Sequence, residues 1–139
     1  MSYYFSKTVK SSFEEAIIRT TEALKKEGFG VLTEIKIHEK LKEKLGVEFN
    51  RYVILGACNP AFAYKALQAE NKIGTMLPCN VIVQDLGNGD IEIAAVNPIE
   101  SMKAIRNEEL GSVAAQVTEM LKRVVESLWK AGKPGSWEA

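Results

Sequence analysis

The stretch "LPCNVIVQDLGNGDIEIAAV" (77–96) sets two runs of apolar residues on either side of Gly87-Asn88-Gly89. Glycine and asparagine tolerate the positive φ angles of a tight turn, so the segment reads as two antiparallel strands joined by a hairpin. This hairpin decides the fold. It breaks the regular strand and helix alternation that a doubly wound parallel sheet requires.

Upstream, "RYVILGAC" (51–58) is nearly continuous apolar sequence, the pattern of a central strand covered on both faces. Asn59 and Pro60 then read as the cap and first position of a helix containing Phe62, Ala63, Ala66 and Leu67. "FGVLTEIKIHE" (29–39) alternates Phe29, Val31, Thr33, Ile35 and Ile37 against Gly30, Leu32, Glu34, Lys36 and His38, a strand with one wet side. "HEKLKEKLG" (38–46) carries Leu41 and Leu45 in mixed charge, a short helix stopped by Gly46. Residues 2–9 form a first strand with Tyr3, Phe5 and Val9 on one side. Ser12 with Glu15 three positions on is a capping box, opening a helix that buries Phe13, Ala16, Ile17, Thr20 and Leu24 and stops at Gly28.

Downstream, Asn97-Pro98 leads into a short irregular or helical piece, "IESMKAI" (99–105). A long helix follows from about 108 to 131, with Leu110, Val113, Ala114, Val117, Leu121, Val124 and Leu128 on one stripe. The order predicts an α+β fold: a mostly antiparallel sheet with helices packed on one face, in a single domain over residues 1–131. The Gly- and Pro-rich tail 132–139 is expected to fray unless Trp137 docks back. There is no internal repeat, linker or low-complexity segment.

The 139 residues, 46% hydrophobic and 26% charged, are enough for one core without a covalent staple. Eighteen basic and eighteen acidic residues cancel, so no net field draws a polyanion, and nucleic acid is not an expected partner. The first residues lack a basic start and a long apolar run, and no stretch nears membrane-spanning length. We therefore expect a cytoplasmic protein without membrane contact, whose two cysteines are thiols.

Both cysteines sit in three-residue clusters of the same composition, Cys58-Asn59-Pro60 and Pro78-Cys79-Asn80. Cys58 immediately precedes a helix cap, where backbone N–H groups favour a thiolate, whereas Cys79 follows a proline at a strand start. A small soft hydrophobe that simply packs is the favoured reading of either position, more so at Cys79. If the strand after the Pro60 helix runs parallel, the thiols stand roughly 17 to 20 Å apart, one strand length. That separation is the expected arrangement, with Cys58 the more reactive thiol. Their spacing of 21 positions is not that of a zinc site, though two thiols suit a soft ion such as Cu(I).

Asn59 and Asn80 can orient a ligand if they share a cavity; otherwise Asn59 caps its helix and Asn80 faces solvent. His38, the only histidine, lies among charges and reads as a surface residue, so no cysteine or serine triad can be assembled. Glu14, Glu15, Glu108 and Glu109 lie at helix starts and complement the helix dipoles. Gly87-Asn88-Gly89 lacks the lysine and context of a phosphate loop. Tyr3, Tyr4, Phe5, Tyr52, Phe62 and Tyr64 read as core or dimer-packing residues, with a pocket lining as the alternative.

Over 53–98 the chain also resembles the bacterial and archaeal domain-of-unknown-function family 302. The resemblance rests on the strand-Cys58-Asn59-Pro60-helix segment, the Leu77-Pro78-Cys79-Asn80 strand start, the hairpin and the long final helix. It covers most of the chain and implies a small α+β domain that dimerises. It supplies no catalytic residues to carry over.

The combined expectation is a non-enzymatic homodimer that binds a small molecule in a partly apolar pocket formed by Cys58, Asn59, Pro60, Leu77, Pro78, Cys79 and Asn80. The rival is a redox or soft-metal thiol protein using Cys58 with or without Cys79, and the third reading is a structural interaction module. No cofactor is named by the residues.

Overall fold

The computed structural model describes residues 2–128. Its elements are β1 (Tyr4–Lys10), α1 (Phe13–Lys26), β2 (Gly30–Lys36), α2 (Ile37–Leu45), β3 (Tyr52–Cys58), α3 (Pro60–Ala69), a 3₁₀ helix (Asn71–Met76), β4 (Cys79–Gly87), β5 (Asp90–Val96), α4 (Pro98–Ser101) and α5 (Glu108–Ser127). The five strands form one sheet in the order β1-β5-β4-β3-β2, and every neighbouring pair is antiparallel. The α+β expectation holds, with a fully antiparallel sheet.

Local chemistry sets the boundaries. Ser12 Oγ accepts from the Glu15 N–H at 3.0 Å and starts α1, and Gly46 ends α2 in the left-handed conformation at φ 68°. Asn88 and Gly89 turn the β4–β5 hairpin with φ of 57° and 80°, the positive angles a two-residue turn demands. Asn107 caps α5 through its Oδ1 and donates from Nδ2 to the Ala69 carbonyl at 2.8 Å, fastening the end of α3 to the start of α5.

Alternate residues of the sheet then point at the helices. Val9, Val53, Leu55, Ala57, Val81, Val83, Ile91, Ile93 and Ala95 are buried against Phe13, Ala16 and Leu24 of α1 and Val117, Leu121 and Val124 of α5. The stripe read on the last helix is the core stripe. Lys7 reaches from β1 to the Leu128 carbonyl and, at 3.3 Å, to that of Glu126, placing a cation on the carbonyl end of α5. A buried link closes the same side. Asn97 donates to the Ser2 carbonyl at 3.1 Å, and the Thr118 hydroxyl donates to Asn97 Oδ1 at 3.3 Å while accepting from the Ile99 N–H.

Three expectations are corrected. β3 is not covered on both faces: the helices lie on one side, and Tyr52 and Ile54 point to the other, half-buried. β2 does not keep its expected alternation, because a bulge between Val31 and Thr33 leaves Leu32 67% exposed. The extra residue turns Ile35 away from the helices, and Ile37 and His38 belong to α2. His38 is not a bare surface residue, since its Nδ1 accepts from the Tyr52 N–H at 3.0 Å and its ring stands edge-on to Phe13. The tail 132–139, the docking of Trp137 and the last residues of the expected helix to 131 lie outside the described residues.

Leu121 is fully buried beneath the sheet. Leu121→Ala is therefore expected to cost about 2 to 5 kcal/mol, read as a lowered denaturant midpoint. An unchanged midpoint would show that the stripe is not the core.

Candidate functional site

β3 runs outward to Cys58, and the chain turns at Asn59 into α3, crosses the 3₁₀ helix and comes back as β4. Because β4 returns antiparallel beside β3, Ala57 pairs with Cys79. The expected separation of the thiols is thus overturned. A parallel strand would have put them at opposite ends of the sheet, whereas this return sets Cys58 one position beyond the residue opposite Cys79.

The close approach depends on a missing side chain. A Cβ at Gly56 would lie 2.8 Å from Pro78 Cγ and 2.3 Å from Thr33 Oγ1, so glycine lets both neighbouring strands crowd β3. The Leu77-Pro78 bond is cis. Asn59 performs two tasks. Its Oδ1 accepts from the Phe62 N–H at 3.4 Å to cap α3, and its side chain borders the cavity described next.

That cavity lies where the sheet end meets α3, α4 and α5. Five of the seven expected residues line it: Cys58, Asn59, Leu77, Pro78 and Cys79. Pro60 does not, being the exposed first residue of α3. Asn80 does not either. It pairs with Gly56 on the opposite face of the sheet, so the two asparagines share no cavity.

The remaining walls are apolar: Phe29, Phe62, Ala63 and Ala66, with Pro98, Met102, Leu110, Val113, Ala114 and Val117 from the other side. Sequence reasoning assigned the α5 members to the core stripe. They are buried or half-buried as that stripe requires, and at the amino-terminal end of α5 they also form a wall of the cavity. Met102 carried no signal, because "IESMKAI" has no clear period. The free interior is about 40 Å³, within a recess of about 450 Å³ that includes the mouth.

Burial pushes the Cys79 thiol up to about 11, and the adjacent Cys58 adds to the shift. At neutral pH Cys79 is a protonated thiol in an apolar wall. Cys58 is half-buried, and both cysteines are free. Among the described residues no three His, Cys, Asp or Glu side chains cluster as a metal site would require, and no helix is long and apolar enough to cross a membrane. His38 sits at the other end of β3 from Cys58, which removes it from this chemistry.

The aromatic residues divide between the two faces. Phe62 lines the apolar cavity and Phe5 packs against the core, whereas Tyr3, Tyr4 and Tyr52 border a second recess on the open face of the sheet. Tyr64 is 65% exposed.

Comparison with known proteins agrees with this architecture. A search of curated proteins finds no match for the chain. Among solved structures, the crystal structure of an uncharacterized conserved DUF302 protein from Bacillus stearothermophilus is similar at a TM-score of 0.82 and 32% identity, over 90% of this chain and 97% of that one. The match to the family described as Domain of unknown function DUF302 runs through residues 5–128, from the first strand to the end of α5. With nearly every element of the sheet and its helices inside that match, the chain belongs to the DUF302 family.

Proposed function

We propose that this domain is a non-catalytic binding module that takes a small apolar molecule into the cavity between α3, α5 and the β3–β4 end. The observation that carries the reading is the convergence of Cys58, Asn59, Leu77, Pro78 and Cys79 on one recess whose walls are otherwise hydrocarbon, thioether and aromatic. Apolar walls with a few convergent polar groups are the usual form of a ligand pocket. The small free interior means that entry moves Phe62, Leu77 and Met102 aside, and Met is the side chain that repacks most readily. Asn59 at the rim has its amide NH₂ for orienting a polar end of the ligand.

A second reading rests on the antiparallel return, which brings two thiols to one wall: a redox or soft-metal protein using Cys58 and Cys79, with the Met102 sulfur in the same cavity. We place the domain in the cytoplasm on either reading, since both cysteines are free. We also propose a homodimer. The hairpin strands β4 and β5 are interior to the sheet, and β1 and β2 form its edges. β2 carries the bulge that blunts an edge, while β1 is seven residues long without bulge or proline and supports pairing with a second copy.

Titration with toluene, followed by amide shifts, tests the first reading. Saturable shifts are expected from Ala57 to Ala63 and from Leu77 to Cys79, with about 2.7 kcal/mol of added stability at a hundredfold excess over Kd. Ala63→Phe, which fills the recess from α3, is expected to abolish both, and shifts that persist in this variant would refute the assignment. For the thiols, iodoacetamide at pH 7 to 8 is expected to label Cys58 well before Cys79, whose rate climbs only as the pH approaches about 11. Ready formation of an intramolecular disulfide under mild oxidation would favour the thiol reading instead. A dimer should bury on the order of 1,200 to 2,000 Å² in total, and sedimentation showing only monomer at micromolar concentration would refute it.

A further inference from the structure

The face of the sheet that carries no helices is unusual in its chemistry. In an antiparallel sheet with one solvated face, outward positions are ordinarily polar or charged. Here the centre of that face presents Ile54, Ile82, Ala94 and Val96, with one carboxylate, Glu92, among them. Around it lies a recess of about 400 Å³, separate from the apolar cavity, bordered by Tyr3, Tyr4, Tyr52, Gln84 and Glu92, with Ile82 among its apolar residues.

The carboxylate is held in place by its neighbours. Gln84 Nε2 donates to Glu92 Oε1 at 2.9 Å, and Asn50 in turn donates to Gln84 Oε1 at 3.4 Å, which fixes the direction of the Gln84 amide. Among the described residues Glu92 has no ion pair, its Oε2 accepts no hydrogen bond, and no lysine, arginine or histidine borders the recess. The rings of Tyr3 and Tyr4 meet edge to face with centroids 5.0 Å apart. Tyr52 belongs to the same electrostatic group: burial raises its phenol pKa, and Glu92 and then Tyr3 raise it further. Three tyrosine rings and a carboxylate without an ion pair thus border one concave surface.

We propose that this recess binds a small organic cation of the alkylammonium class, its positive centre lying between the three tyrosine rings and the Glu92 carboxylate. Ring quadrupoles and a carboxylate attract such a cation, and the apolar floor takes its alkyl groups. An anion is repelled by Glu92, and a purely apolar molecule leaves that charge without a counterion. The assignment does not rest on the apolar cavity, and either site can fail without the other.

Calorimetric titration at low salt with choline, beside its uncharged isostere 3,3-dimethylbutan-1-ol, tests the proposal. Saturable choline binding is expected, about tenfold tighter than the isostere, as the loss of a partly desolvated cation–π and charge interaction implies. Glu92→Gln is expected to weaken choline about threefold, the tyrosine rings holding the remainder, and to leave the isostere unchanged. Tyr3→Leu, outside the strands and so without risk to the sheet, is expected to weaken choline as well and decides the matter should Glu92→Gln fail to fold. No saturable choline binding, equal affinity for the isostere, or undiminished affinity in the folded variants would overturn the assignment.

Discussion

The pairing of β3 with β4 governs nearly everything else in this molecule. It requires that Gly56 carry no side chain, because Thr33 and Pro78 occupy the space a Cβ would take. With that crowding permitted, Ala57 meets Cys79, the chain between them is thrown out as α3 and the 3₁₀ helix, and the sheet end is left to be roofed by α5. The apolar cavity is the space that roof does not fill. A sheet of the same strands with a parallel crossover would have separated the cysteines by a strand length and formed no such recess.

The two faces of the sheet solve different problems. On one, large aliphatic side chains meet α1 and α5, and the dispersion and hydrophobic terms of a close-packed interior hold them. On the other, apolar residues persist without a covering helix, mixed with tyrosines and a single acid. Burial therefore does not account for that second face. Its composition resembles the interior of a binding surface, where charge is depleted and aromatic residues are enriched.

Much of this was readable in the sequence because it follows from local rules. The Ser12 and Asn59 caps, the Gly46 stop and the Asn88-Gly89 turn each depend on a few adjacent residues, and each lies where the pattern placed it. The core stripe of α5 follows from period alone. What failed was whatever depended on a neighbour distant in sequence. Leu32 looks like a regular strand residue until the bulge against β3 displaces it, and His38 looks solvated until Tyr52 presents its N–H. The site shows the same division. Cys58, Asn59 and Leu77 to Cys79 stood out through turn chemistry, but Asn80, grouped with them on the condition of a shared cavity, is exposed on the other face, the alternative its strand position allowed. Met102 had no local signature at all, and Tyr3, Tyr4 and Tyr52, for which a pocket lining was only the alternative reading, are brought to one recess by strands distant in sequence.

The closure of the chain on itself has a consequence for how the protein is made. β1 lies at the sheet edge and its one neighbour is β5, so Tyr4 has no strand partner until Val96 exists, and the Lys7 ammonium has no carbonyl to meet until the end of α5 does. A growing chain emerging from the ribosome therefore exposes an unpaired aromatic strand until β5 has been made, and the sheet cannot be covered before α5 has left the exit tunnel. Completion of the sheet thus waits on contacts distant in sequence, the kind whose loop-closure cost slows folding.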